Sequence, residues 1–211
     1  MTLIERRKFM KNAFLNSLLA GVFISIGGTV FISLANSGNK IAGAIFFAIA
    51  LLSICMLGLF LFTGKVGYIV EDYSKKSILS LLCGLGGNFV AATVFGVLIS
   101  YALPSVHNFA ITMCQSKLDL NLGGVLLLAF MCGILMYTAV HIYKTKQSIS
   151  GIIFCVPVFI LCGFEHSIAD MFYFAVARAF SLEYVLFIII VILGNSLGGM
   201  LIPFTKKFIK E

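Results

Sequence analysis

Long apolar blocks separated by short polar links run the length of this chain. Six of them reach the ~18 or more residues that suggest a membrane span, at roughly 13–35, 41–63, 77–103, 122–143, 149–175 and 183–205. The pattern predicts an all-α membrane protein with six transmembrane helices, a single domain over residues 1–211. The first block is too long for a signal-peptide core and lacks a small-residue cleavage site, so it reads as a retained span. The links carry the orientation. Arg6, Arg7, Lys8, Lys11, Lys75, Lys76, Lys144, Lys146, Lys206, Lys207 and Lys210 fall on one side, against Lys40, Lys117 and Arg178 on the other. By the positive-inside rule, both ends, residues 1–12 and 206–211, are predicted to be cytoplasmic in the cell membrane.

Composition strengthens this picture. Hydrophobic residues make up 61% of the chain and charged ones 11%, with a mean hydropathy of +1.10. Soluble domains carry about 25% charge, so the water-soluble class is excluded. The net charge of +7 sits in the short links, which speaks against a nucleic-acid partner and for membrane lipid. Six cysteines without a CxxC pair read as small buried side chains. His107, His141 and His166 are too scattered for a zinc site, and no metal or cofactor is predicted. Tyr68, Tyr73, Tyr101, Tyr143 and Tyr184 fall near span ends, as interfacial aromatics do.

Two blocks are interrupted. The second ends in Leu61-Phe62-Thr63-Gly64-Lys65 with Gly58 just upstream, and the fifth holds Pro157 and then Gly163-Phe164-Glu165-His166-Ser167. Matching interruptions predict an inverted 3+3 repeat whose second and fifth helices are broken. Freed backbone groups survive at membrane depth only inside protein or beside water, so a pore or binding site is expected between the breaks. Glycines in span three (Gly84, Gly86, Gly87) and the Gly194/Gly198 pair in span six suit close helix packing.

The breaks also carry the chemistry. An ionisable group at mid-bilayer costs about 2.5–3.5 kcal/mol and is normally paired and functional. His166 is the candidate functional group, since an imidazole changes charge near neutral pH. Glu165 reads as an architectural anchor. Asp170, one turn after His166, bonds it, caps the segment, or is a plain polar residue near the outer mouth. Thr63 offers a hydroxyl where a half-helix starts, a place whose dipole suits an anion. Lys65 is expected to snorkel to the cytoplasmic interface. His107 and His141 read as interfacial residues.

Ala20-Gly21-Val22-Phe23-Ile24-Ser25-Ile26-Gly27, Leu61-Phe62-Thr63-Gly64, Gly87-Asn88, Gly163-Phe164-Glu165-His166-Ser167-Ile168-Ala169-Asp170-Met171 and Gly194-Asn195 with Gly198-Gly199 together resemble the formate/nitrite transporter family. The resemblance covers nearly the whole chain, and the fifth-span string is its specific part. It implies an aquaporin-like protomer in a homopentamer, with His166 as the central pore histidine and Thr63 facing it. Counting back from Thr63 puts Phe47 and Leu51 at narrowing positions, with Phe62 and Phe159 at further constrictions. Lys117 matches the outer-vestibule lysine that attracts anions. Phe60 stands where the family has an acidic residue, and Tyr137 where its fourth span has an Asn; these departures bear on substrate.

The expected function is a channel or proton-coupled carrier for small monovalent anions such as formate, nitrite or hydrosulfide, with a hydrogen bond or a proton transfer at His166 lowering the crossing barrier. The alternative is a neutral small-solute pore, although the twin Asn-Pro-Ala motifs of water channels are absent. An embedded enzyme is disfavoured because Glu165 and His166 lack further ligands or a nucleophile.

Overall fold

A computed structural model describes residues 3–209, with side chains from Lys8 onward. Among the described residues the chain forms nine α-helices: α1 (Leu3–Asn36), α2 (Lys40–Met56), α3 (Phe62–Lys65), α4 (Lys75–Ala102), α5 (Pro104–Leu118), α6 (Leu122–Lys146), α7 (Ser150–Leu161), α8 (Ser167–Ala177) and α9 (Leu182–Lys206). A 3-10 segment, Val66–Val70, continues α3. Residues 3–12, expected to precede the first span, belong to α1. The side chains of Arg6 and Arg7, and residues Lys210 and Glu211, lie outside the described set.

Four helices are long and apolar enough to cross a membrane: the stretch Lys8–Asn36 of α1, then α4, α6 and α9. The other two predicted spans are each in two pieces. The second is α2 followed, after a gap at 57–61, by α3 and the 3-10 segment, so it extends to Val70 rather than ending at 63. The fifth is α7 followed by α8, parted at 162–166. Both α2 and α7 stop for the same reason. Gly58 (φ 65°) and Gly163 (φ 69°) adopt the left-handed conformation that a side chain resists. Their amides, and those of the next residues, fold back on the last turn: Leu59 N–H reaches Ile54 O and Phe164 N–H reaches Phe159 O.

Packing repeats the same correspondence. α1 lies along α4 and α6 along α9, while α2 rests on α1 and α7 on α6. α8 packs on α4, the 3-10 segment on α9, and α2 meets α7. Close approach in these pairs depends on glycine. A β-carbon on Gly198 would overlap the carbonyl oxygen of Phe130, a backbone atom that cannot rotate away. Overpacking of this kind costs ~1–3 kcal/mol. Gly198→Ala is therefore expected to lower the thermal midpoint of the detergent-purified protein by about 5–10 °C, read by loss of the monodisperse elution peak on heating.

The link at 104–121, which the hydropathy pattern leaves between spans, contains α5. Pro104 occupies its first turn, where a missing N–H is harmless. Val106, Ala110 and Cys114, four apart, form its buried stripe. At 15 residues, about 22 Å, it is too short to cross the bilayer. It packs against α1, α4 and α8, over the first of the cavities described next.

Candidate functional site

Each break is held by one buried asparagine. Asn88, on α4, accepts the Phe62 amide at 2.9 Å and donates to Phe60 O at 3.0 Å and to Ser17 O of α1 at 2.8 Å. Asn195, on α9, accepts the Ser167 amide at 2.8 Å and donates to Glu165 O and to Ala129 O of α6, both at 2.8 Å. Both side chains are fully buried. The first amide of each half-helix and the carbonyl two residues before it would otherwise be orphaned away from water. Reading the sequence for charge and histidine passed over these two residues. The signal was present as a polar Asn after a Gly in two otherwise apolar spans.

The half-helices meet at their starts. Thr63 Oγ1 and His166 Nε2 are 2.9 Å apart, both side chains buried. His166 also caps α8: its Nδ1 accepts the Ala169 amide at 3.1 Å. An imidazole nitrogen that accepts carries no proton, so the hydrogen-bonding pattern assigns the ring's proton to Nε2. Nε2–H then donates to Thr63 Oγ1, and the hydroxyl hydrogen of Thr63 is left for another acceptor.

Apolar rings frame this pair. Phe159 stacks on the His166 ring with centroids 5.6 Å apart, and Phe47 meets Phe159 edge-on at 6.1 Å. Leu51 follows Phe47 by one turn of α2 and is equally buried. Two cavities approach from opposite sides. The first, about 540 Å³, is bordered by Phe159, His166, Lys117, Glu165, Asp170 and Tyr173 among others. The second, about 200 Å³, is bordered by Leu51, Gly64, Lys65, Val140, Tyr143 and Lys144 among others. His166 thus borders one cavity and Gly64, next to Thr63, the other.

Lys117, expected as the outer-vestibule lysine that attracts anions, borders the first cavity and is ion-paired there. It continues the buried stripe of α5 and forms ion pairs with Glu165 and, at 3.0 Å, with Asp170. These are the ion pairs among the described residues, and one ammonium answers two carboxylates. The architectural reading of Glu165 fits this contact, and its backbone carbonyl is the one Asn195 holds. The Asp170 carboxylate points at Lys117 rather than at the His166 ring.

The remaining expected residues lie off the two cavities. Phe62 is buried beside Thr63 and borders neither. Tyr137 also borders neither: it stacks on His141, bonds that ring's Nδ1 at 3.2 Å, and packs 5.4 Å from Tyr68 of the 3-10 segment. His107 donates or accepts nothing at the centre; its Nδ1 reaches Val176 O at 2.7 Å, tying α5 to the end of α8. No group of three or more His, Cys, Asp or Glu side chains among the described residues is arranged to hold a metal.

The formate/nitrite transporter family matches residues 4–207 of this sequence. The chain belongs to that family. Among curated relatives, the uncharacterized transporter YwcJ of Bacillus subtilis is 30% identical, over 77% of this chain and 72% of its own. The formate-nitrite transporter of Plasmodium malariae is 25% identical, over 92% of this chain and 74% of its own. Among solved structures, a pentameric formate channel with formate bound superposes with a TM-score of 0.82 at 22% identity, covering 96% of this chain and 97% of that one. An FNT family ion channel gives 0.79 at 21% identity, with 98% of each covered. These last two likenesses are of fold. With the apolar helices, family membership makes this a multi-pass membrane protein whose relatives are channels or transporters rather than enzymes.

Proposed function

We propose that this protein conducts small monovalent anions, formate, nitrite or hydrosulfide, through the contact between Thr63 and His166. The observation that carries the reading is that contact itself. It is a buried hydrogen-bonding pair at 2.9 Å, joined by two half-helix starts and flanked by a cavity on either side. An anion leaving either cavity passes Phe47, Phe159 and Leu51, apolar groups that strip its water. The Thr63 hydroxyl, polarised by His166 Nε2–H, then offers a replacement hydrogen bond, and the positive ends of α3 and α8 favour negative charge. A neutral ring that surrendered its single proton would become an imidazolate. His166 therefore acts as a hydrogen-bond donor during passage, and any proton that crosses with the anion is supplied from cavity water. This narrows the proton-coupled role first expected of the histidine.

The same reading gives six membrane crossings as two inverted sets of three, which the paired asparagines and the paired glycine stops support. It places both termini in the cytoplasm, and five copies in the cell membrane by analogy with the pentameric formate channel. Phe62 and Tyr137 then act as packing behind the pore.

Proteoliposomes loaded and challenged with formate, nitrite and hydrosulfide at two pH values test the proposal. At least one anion is expected to equilibrate well above empty liposomes. Water permeation with no anion flux would instead establish a neutral-solute pore.

A further inference from the structure

The two cavities differ in charge. Lys40, Lys117, Glu165 and Asp170 border the first, which is formally balanced when both acids are ionised. Lys65 and Lys144 border the second, and among the described residues no carboxylate does. The two ends are far apart. α6 starts at Leu122, close in sequence to Lys117, and carries Lys144 22 residues on, a rise of about 33 Å.

Neither lysine is engaged by an acid among the described residues. Lys144 Nζ rests over the Tyr68 ring at 3.8 Å, and Lys65 Nζ lies 5.7 Å from the Phe60 ring. Asp72 borders an adjacent pocket that Lys65 also borders, but its carboxylate already accepts from Ser77 Oγ at 2.5 Å. Stacking on a ring leaves the ammonium's charge in place and its N–H donors largely unspent. Two such groups in a low-dielectric recess attract a small anion more strongly than either would in water.

We infer that the cavity between Lys65 and Lys144 is an anion-binding subsite, and that this end, not the Lys117 end, concentrates the anion. The subsite holds a small monovalent anion through the two ammonium groups before it meets Leu51 and Thr63. The inference rests on the proposed anion path for its meaning, but its test requires no transport.

Cys55 borders the same cavity and is a free thiol. Cys162, exposed at the other break, serves as an internal reference. Membranes holding the full-length protein are treated with an anionic or a cationic methanethiosulfonate, and modification of each cysteine is followed by mass spectrometry of its peptide. The anionic reagent is expected to be favoured at Cys55 about tenfold over its preference at Cys162. Sodium formate or nitrite is expected to slow modification of Cys55 by the anionic reagent. The double variant K65Q/K144Q should abolish the preference, and K65R/K144R should retain it. An equal preference at both cysteines, or one unchanged in K65Q/K144Q, would overturn the subsite. So would failure of both reagents to reach Cys55, because the cavity would then be closed to ions. A wild type that shows the charge preference yet passes no anion would sink the transport reading alone.

Discussion

His166→Phe is expected to lower formate or nitrite flux in proteoliposomes by about ten- to a hundredfold, by a similar factor at both pH values. Phenylalanine keeps a ring against Phe159, so the shape of the constriction survives. What disappears is the Nε2 proton that polarises Thr63 and the Nδ1 cap on the Ala169 amide. A hydrogen bond to a charged partner is worth ~1.5–3 kcal/mol, and each 1.4 kcal/mol is about tenfold, which sets the size of the effect. Losing the cap alone costs ~0.5–2 kcal/mol of stability. His166→Asn separates the two roles. Asparagine is a preferred helix cap and restores stability, but it is too short to reproduce the reach to Thr63. Flux should therefore be low in both variants and thermal stability low only in His166→Phe. Wild-type flux in either variant would remove His166 from the mechanism.

Asn195→Ala is expected to cause the largest loss of stability. It orphans the Ser167 amide and the Glu165 carbonyl in one step, and removes the extra bond to the Ala129 carbonyl, which keeps its helical partner. Each buried unsatisfied group costs ~1–3 kcal/mol, so two of them sum to about 2–6 kcal/mol, or about 5–20 °C in thermal midpoint for a chain of this size. Asn195→Asp should fare no better, because a carboxylate cannot donate to the two carbonyls. Asn88→Ala should match it, since its three bonds serve the other break in the same way. The measurement is the heating profile of detergent-purified protein by size exclusion. A midpoint within about 2 °C of wild type would mean that water or relaxation satisfies the freed groups and that the asparagines are not what holds the breaks.

The spans were legible because lipid demands long apolar runs, and the breaks were legible because Gly58, Gly163 and the polar strings after them interrupt those runs. The breaks placed a site between the two spans, and the pairing of Thr63 with His166 was implied by the family resemblance. Their tautomeric relation could not be read, since it depends on the Ala169 amide reaching Nδ1, a fact of the local fold. Hydropathy missed α5 because its sequence mixes His107, Gln115 and Lys117 with apolar residues, although the spacing of Val106, Ala110 and Cys114 was there to be read. The ion pairs of Lys117 were not legible because neither carboxylate partner lies near it in sequence: Glu165 and Asp170 arrive only when α8 folds against α5. Tyr137 is a related case. Its position in span four was clear, but which neighbour it faces depends on the 3-10 segment that continues the second broken helix.

The cavity beneath α5 has a pharmacological consequence. Its ~540 Å³ falls within the roughly 300–1,000 Å³ typical of drug-sized ligand sites. If both termini are cytoplasmic, it opens away from the cell interior. A compound seated over Phe159 and His166 would block the proposed path without having to cross the membrane. The anions of the proposed function are too small to fill that space, so a blocker can gain affinity from walls that they never use.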